Sequence, residues 1–390
     1  MTNYLIVMIE RGGMVIVKLL TLIVLSRYLS PEDFGLFGIV SVIIAISLIL
    51  VDSGFGGALI KEKKPTELDY STVFVVNLAL SIILSLIILI VAPLVSIFYD
   101  KSIIADLMQV SVLVLFIRAL SLINIIILTR KMKFLAQAVI NLIAVTIGSA
   151  VAIYFAYIGV GVWALIYQQL VEALVTFLGF FFLVQKKISI KFSLDSFRKF
   201  YNFGFSLTLS SLIRSLYDNL SILIIGKVFT IQTLGYYTQA NRVNSLYTTF
   251  LVGVVDKVSF VSLSNKFNTS LEDFYNEALR LLKVVLLLGG FVSLFMASFS
   301  VEIIEIILGD KWRKSAYILT FISYCGIGMI FETITRIFLK SAGRADIILK
   351  IEIIKKTISV VLMLLFVNFG LNMFLCAMLL SSVMAVIVNS

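Results

Sequence analysis

Arg11, Lys18, Arg118 and Arg214 are basic side chains set inside long apolar runs, where a fixed charge is costly and usually faces an interior or a watery cavity. An arginine fork matches phosphate oxygens two at a time, and a lysine adds a compact point charge. The set therefore suits a polyanion such as a pyrophosphate, with Arg11, Lys18 and Arg214 as its main members and Arg118 as a fourth. Arg11 and Lys18 are seven residues apart, two turns along one helical face. Asp218 follows Arg214 by one turn, and Asp52 opens the stretch Asp52-Ser-Gly-Phe-Gly-Gly57; these two acids read as gating or coupling groups. The competing reading is structural: buried charges that satisfy one another, Arg118 with Glu172 and Glu332 with Arg336.

Composition fixes the setting of these charges. The chain of 390 residues is 61% hydrophobic and 14% charged, against about 45–50% and about 25% in soluble domains. A soluble globule of this make-up would expose large apolar patches, so the chain reads as a multi-pass membrane protein. It has no histidine, which removes His-ligated metals, Ser-His-Asp chemistry and histidine proton relays. Cys325 and Cys376 lie far apart in apolar stretches and form neither a disulfide framework nor a zinc site. No large catalytic domain fits between the runs. No metal or cofactor is expected, and a coupling ion, proton or sodium, is left open.

Hydrophobic runs separated by charged breaks predict twelve helices, near 3–26, 36–60, 73–97, 104–128, 136–157, 161–184, 202–225, 236–263, 282–307, 316–339, 350–367 and 371–388. The breaks alternate in charge. Lys61, Lys63, Lys64, Arg130, Lys131 and Lys133 fall on one side, as do the basic residues of 186–201 and the later Lys340, Arg344, Lys350, Lys355 and Lys356. The other side holds only Arg27, Lys101, Lys227, Lys311, Arg313 and Lys314. The positive-inside rule places the richer side and both termini in the cytoplasm.

The chain also resembles itself. Shifted by 200 residues, Leu25–Phe37 falls on Ile225–Tyr237, setting Arg27 on Lys227, Ser30 on Thr230 and Gly35 on Gly235. At a shift of 210, Phe98–Lys101 falls on Leu308–Lys311. Two parallel six-helix halves follow, a design used by secondary transporters: an N-terminal lobe over 1–185, a linker over 186–201 and a C-terminal lobe over 202–390. On this scheme Arg11 and Arg214 face each other at similar depth, and Lys18 lies opposite Asp218. The last run reaches Ser390 with almost no polar tail, which reads as a cut end.

Leu29-Ser-Pro-Glu-Asp-Phe-Gly-Leu-Phe37, Asp52–Ile60, Leu234-Gly-Tyr-Tyr-Thr-Gln-Ala-Asn-Arg-Val243 and Leu308-Gly-Asp-Lys-Trp312 together resemble the polysaccharide-transporter family of Wzx-like oligosaccharide flippases. The resemblance implies the all-α fold shared with MATE-like antiporters, two six-helix lobes in a V, with twelve helices present of fourteen. It implies a substrate, undecaprenyl-pyrophosphate-linked oligosaccharide, flipped across a bacterial inner membrane without covalent chemistry. The partners implied are that lipid, the bilayer and other polysaccharide-assembly proteins, with no nucleic acid. Val261 stands where the family tends to carry proline. Two rivals remain. A drug or cation antiporter would want an acidic lumen, and a membrane-embedded glycan polymerase or ligase would want a long polar outer loop.

Overall fold

The structure, a computed structural model, describes residues 2–184, 190–246, 248, 263, 271–341 and 344–389, without the side chains of 2–9, 11, 271, 340, 345, 346 and 349. The described residues are helical, with no strand among them. In order they form α1 (Thr2–Tyr28), α2 (Pro31–Asp52), α3 (Phe55–Lys61), α4 (Glu67–Phe98), α5 (Ile103–Arg130), α6 (Phe134–Tyr157), α7 (Trp163–Val184), α8 (Leu194–Asp218) and α9 (Leu220–Val228). There follow α10 (231–246), then α11 (Leu271–Ser298), α12 (Ser300–Ile307), α13 (Arg313–Ser341), α14 (Ala345–Phe366) and α15 (Leu371–Asn389).

Among the described residues, eight helices are long and apolar enough to cross a membrane: α2, α4, α5, α6, α7, α11, α13 and α15. The runs in α1, α8 and α14, also expected as spans, fall short because polar groups interrupt them. In α1 these are Glu10, Arg11 and Lys18, in α14 Lys350, Glu352, Lys355 and Lys356, and in α8 a row of amide, hydroxyl and charged groups.

Several helices begin earlier than the apolar runs suggest, because polar caps start them. Ser30 and Asp33 form a reciprocal cap, Asp33 N–H donating to Ser30 Oγ at 3.2 Å and Ser30 N–H to Asp33 Oδ2 at 2.8 Å, with Pro31 at the first helical position. Thr66 and Asp69 do the same for α4. Two expected helices are broken. The run 36–60 divides into α2 and α3 at Ser53 and Gly54, whose φ values are 48° and 63°. The run 202–225 divides at Asn219 into α8 and α9.

Helix boundaries carry the internal repeat. The first turn of α2 has its counterpart in α10, where Thr233 N–H donates to Thr230 Oγ1 at 3.1 Å as Asp33 does to Ser30. Phe98 and Ser298 end α4 and α11, still in step at 200. Ile103 and Arg313 then begin α5 and α13, in step at 210. The short helix α12, which the first half lacks among its described residues, accounts for the change of offset.

Contacts divide the chain into two compact units, Met1–Gly235 and Tyr236–Ser390. In the first, α8 packs on α2, α3 and α4, and α9 on α2. Phe55, Ala58, Leu59, Val73, Ile123, Ile126, Ile127 and Phe200 form a shared core there. On α4, Ile83, Leu86, Ile90, Leu94 and Ile97 are exposed, a face suited to lipid since the backbone groups behind it are satisfied within the helix. In the second unit α13 packs against α11, α14 and α15, around Val285, Ile330 and Ile334 and around Leu263, Phe274, Ala278 and Ile337.

Candidate functional site: basic groups within the helices

The first unit brings one polar cluster together from α1, α5, α6 and α7. Glu172 on α7 lies within electrostatic reach of Lys18 on α1 and Arg118 on α5. Gln168, one turn earlier, donates to its Oε1 at 3.2 Å. Gly148 on α6 leaves room for this acid, because a Cβ there would overlap Glu172 Cγ. Nearer the start of α1, Asn141 on α6 donates to Glu10 Oε1 at 2.8 Å. Arg118, expected to pair with Glu172, lies within electrostatic range of it, as does Lys18. The side chain of Arg11 lies outside the described residues.

Arg214 and Asp218 are at the end of α8. Their side chains, 67% and 56% exposed, approach to 3.5 Å (Arg214 Nε to Asp218 Oδ2). Exposed pairs of this kind contribute at most about 1 kcal/mol, so Arg214 is held in place without being neutralised by burial. In this structure Asp218 pairs with Arg214 and Lys18 lies near Glu172; the Lys18–Asp218 gate read from the sequence is not formed.

Asp52 ends α2, one residue before the break. The Asp52–Gly57 stretch combines a local unwinding with close packing. Ser53 Oγ donates to Asn77 Oδ1 of α4 at 3.2 Å. Gly54 is pressed on the backbone of Gly204 in α8, and Gly204 in turn on the ring of Phe55, so a Cβ at either position would overlap its neighbour. Small residues allow such backbone approach between membrane helices.

At the lysine-rich end of this unit, Lys199 at the start of α8 reaches Glu62 Oε2 at 3.2 Å and Asp69 Oδ2 at 3.3 Å. The hydrogen bond from Lys199 holds the Glu62 carboxyl below the usual glutamate range. For Lys199, desolvation works against its charge, but the bonds and fields of Glu62 and Asp69 prevail and raise it above the ordinary lysine value. Arg130 Nη1 donates to the carbonyls of Leu59, Ile60 and Glu62 at 2.6, 2.9 and 2.6 Å, satisfying the open C-terminal end of α3. These residues were legible only as loop charges.

At the opposite end, Lys101 Nζ meets Glu32 Oε1 at 2.6 Å, and Lys227 Nζ donates to the Phe98 carbonyl at 2.5 Å with Asp100 Oδ2 3.9 Å away. Together with Tyr99, Thr230 and Gln232 these groups line a polar recess of about 390 Å³. The two repeated turns meet beside it. A Cβ on Gly35 would overlap the Ile231 carbonyl, and a Cβ on Gly235 the Pro31 carbonyl.

The second unit differs from the sequence reading at Glu332. Its partner is Lys355 of α14, at 2.7 Å, rather than Arg336. Lys355 also meets Glu352 at 3.2 Å, and its side chain is 6% exposed. In the sequence it counts with the lysines of the basic side, although it lies inside the run expected over 350–367. Asp256, Lys257 and Val261 lie outside the described residues.

The lipid II flippase MurJ in an inward closed conformation has a TM-score of 0.77 to this chain at 15% identity, covering 100% of this chain and 86% of that one. An inward-facing MATE-family multidrug resistance transporter of the MOP superfamily has a TM-score of 0.73 at 17% identity, covering 96% and 93%. At these identities the likeness shows the fold, which is therefore MATE- and MurJ-like. Among curated proteins, the succinoglycan biosynthesis transport protein ExoT of Rhizobium meliloti is 24% identical over 252 residues, 65% of this chain and 51% of that protein. The teichuronic acid biosynthesis protein TuaB of Bacillus subtilis is 24% identical over 313 residues, 77% and 62%. The lipopolysaccharide biosynthesis protein WzxC of Escherichia coli is 25% identical over 350 residues, 86% and 69%. The matched regions span about half to two thirds of the length of these relatives. Residues 24–317 match the model of the family described as polysaccharide biosynthesis protein, and the chain belongs to that family.

Proposed function

We propose that the protein flips a lipid-linked oligosaccharide, with an undecaprenyl-pyrophosphate carrier, across a bacterial inner membrane by alternating access. The observation that carries this reading is that Lys18 and Arg118, on long helices of the first unit, both lie within electrostatic range of one carboxylate, Glu172. A surplus of positive charge at such a place calls for an anion. The phosphate groups of the substrate meet Lys18, Arg118, Arg214 and Arg11, while the carrier's tail stays in the bilayer. Asp218 exchanges partners as the protein changes state, holding Arg214 in one and Lys18 in another, and Asp52 sits at the α2–α3 break that bends with it. The lobes 1–185 and 202–390 rock about the 186–201 linker, with the lysine-rich side and the N-terminus in the cytoplasm. A proton or a sodium ion drives the cycle, and other polysaccharide-assembly proteins receive the product.

The test is transport in proteoliposomes. The full-length protein should move a fluorescent undecaprenyl-pyrophosphate oligosaccharide between leaflets, and should leave cationic drugs such as ethidium untransported. Drug efflux without lipid movement would overturn the reading in favour of an antiporter.

A further inference from the structure

Helix α8 carries its polar groups in a row. Asn202, Ser206, Ser210 and Arg214 are four residues apart and all exposed, while Phe200 and Gly204 turn the other way and are buried. An exposed amide, two hydroxyls and a guanidinium are a poor surface for hydrocarbon, so this face borders water. The Ser206 hydroxyl donates to the Asn202 carbonyl at 2.9 Å and the Ser210 hydroxyl to the Ser206 carbonyl at 2.8 Å. Their hydrogens are thereby used within the helix, and their oxygens point outward as acceptors. The Asn202 amide offers both donors and an acceptor.

Beside this row, one residue earlier at each step, are Tyr201, Phe205, Leu209 and Ile213, all exposed, and the two rings stand at the Asn202 end. The rings of Tyr201 and Phe205 are 44% and 53% exposed and lie nearly parallel, ring centroids 5.7 Å apart and planes 19° apart. A sugar ring has the complementary chemistry: hydroxyls around its edge and an apolar C–H face. We infer that this face of α8 binds the oligosaccharide of the transported lipid, Tyr201 and Phe205 stacking on sugar C–H faces while Asn202, Ser206 and Ser210 bond hydroxyls, with Arg214 at the phosphate end. From Asn202 to Arg214 the row rises ~18 Å, room for a short oligosaccharide rather than a single sugar. The inference rests on the flippase reading and adds which surface meets the glycan.

The test measures affinity of the purified full-length protein in nanodiscs for two probes. One is undecaprenyl pyrophosphate and the other the same lipid carrying a hexose trisaccharide. The wild type should bind the glycosylated probe at least about tenfold more tightly. Tyr201→Leu with Phe205→Leu, or Asn202→Ala with Ser206→Ala, should bring that ratio within about threefold while leaving affinity for the bare lipid unchanged. Arg214→Gln should weaken both probes alike. An undiminished ratio in the leucine variant would make the rings an interfacial belt and overturn the inference. So would a wild type that binds the bare lipid but gains nothing from the sugar, an outcome that leaves the flippase reading standing. If the wild type binds neither probe, both fall together.

Discussion

Gly35 and Gly235 occupy reciprocal positions: each presses on the backbone of the residue four places before the other, Gly35 on the Ile231 carbonyl and Gly235 on that of Pro31. The positions are related by the repeat of 200 residues, so the two turns meet about a local two-fold axis and each glycine lets the partner helix start come close. A methyl at either position has nowhere to go, because the obstacle is backbone rather than a side chain. Gly235→Ala should cost about 1–3 kcal/mol, the usual range for overpacking. Gly290→Ala, where no atom lies within 4 Å of the added Cβ, should be neutral. Thermal midpoints of the two variants in one detergent check this; equal midpoints would refute the close contact.

The Lys199–Glu62 pair should show a stability plateau in pH. Glu62 is depressed in the folded protein from 4.5, so its contribution is present above that value and is lost as pH falls through the folded value. Lys199 is raised from 10.5, so its contribution is complete below that value and is lost as pH rises through the folded one. Between these limits Lys199→Ala should melt earlier than wild type, and the gap should narrow on the acid side below 4.5 as Glu62 loses its charge. Melting curves across pH, for both proteins, measure it.

Lys355 sits between Glu332 and Glu352 with its side chain almost fully buried. Removing it leaves two partly buried carboxylates without their partner, a loss below the range of about 3–5 kcal/mol for a fully buried pair. Lys355→Met should therefore be destabilising, and Lys355→Met with Glu332→Leu should recover part of the loss. A double-mutant cycle on unfolding checks the pair; additive effects would dissociate the two residues.

Glu172 lies within electrostatic range of Lys18 and Arg118. On the flippase reading it competes with the substrate's phosphates for those cations. Glu172→Gln should tighten binding of inorganic pyrophosphate by about fivefold to tenfold, a typical size of coupling between neighbouring charges. Isothermal titration of the purified protein measures it, and unchanged or weaker binding would count against the competition.

The same residues show how far the sequence could be read. Long apolar runs exposed the membrane class and most helix positions, because burial in lipid demands apolar length. The Ser30–Gly35 and Thr230–Gly235 correspondence exposed the repeat, because capping and close packing need particular residue types at fixed spacing. Partners were another matter. Arg118 with Glu172 could be suggested, but Lys355 with Glu332 joins two helices whose relative rotation no local pattern encodes. The same holds for Gly54 on Gly204, and for the association of α8 with the N-terminal helices. The row along α8 was visible in principle at a spacing of four, yet serine and asparagine in a helical run carry little weight until their exposure is known.

Export of polysaccharide tests the central claim most directly. In cells that lack their own transporter for the repeat unit, the full-length protein carrying Arg11→Ala, Lys18→Ala, Arg118→Ala and Arg214→Ala should reach the membrane at normal levels. It should nevertheless leave lipid-linked oligosaccharide accumulated inside, with surface polysaccharide lost. Surface polysaccharide at the wild-type level in that variant would contradict the account, because no basic group proposed to hold the phosphates would then be needed.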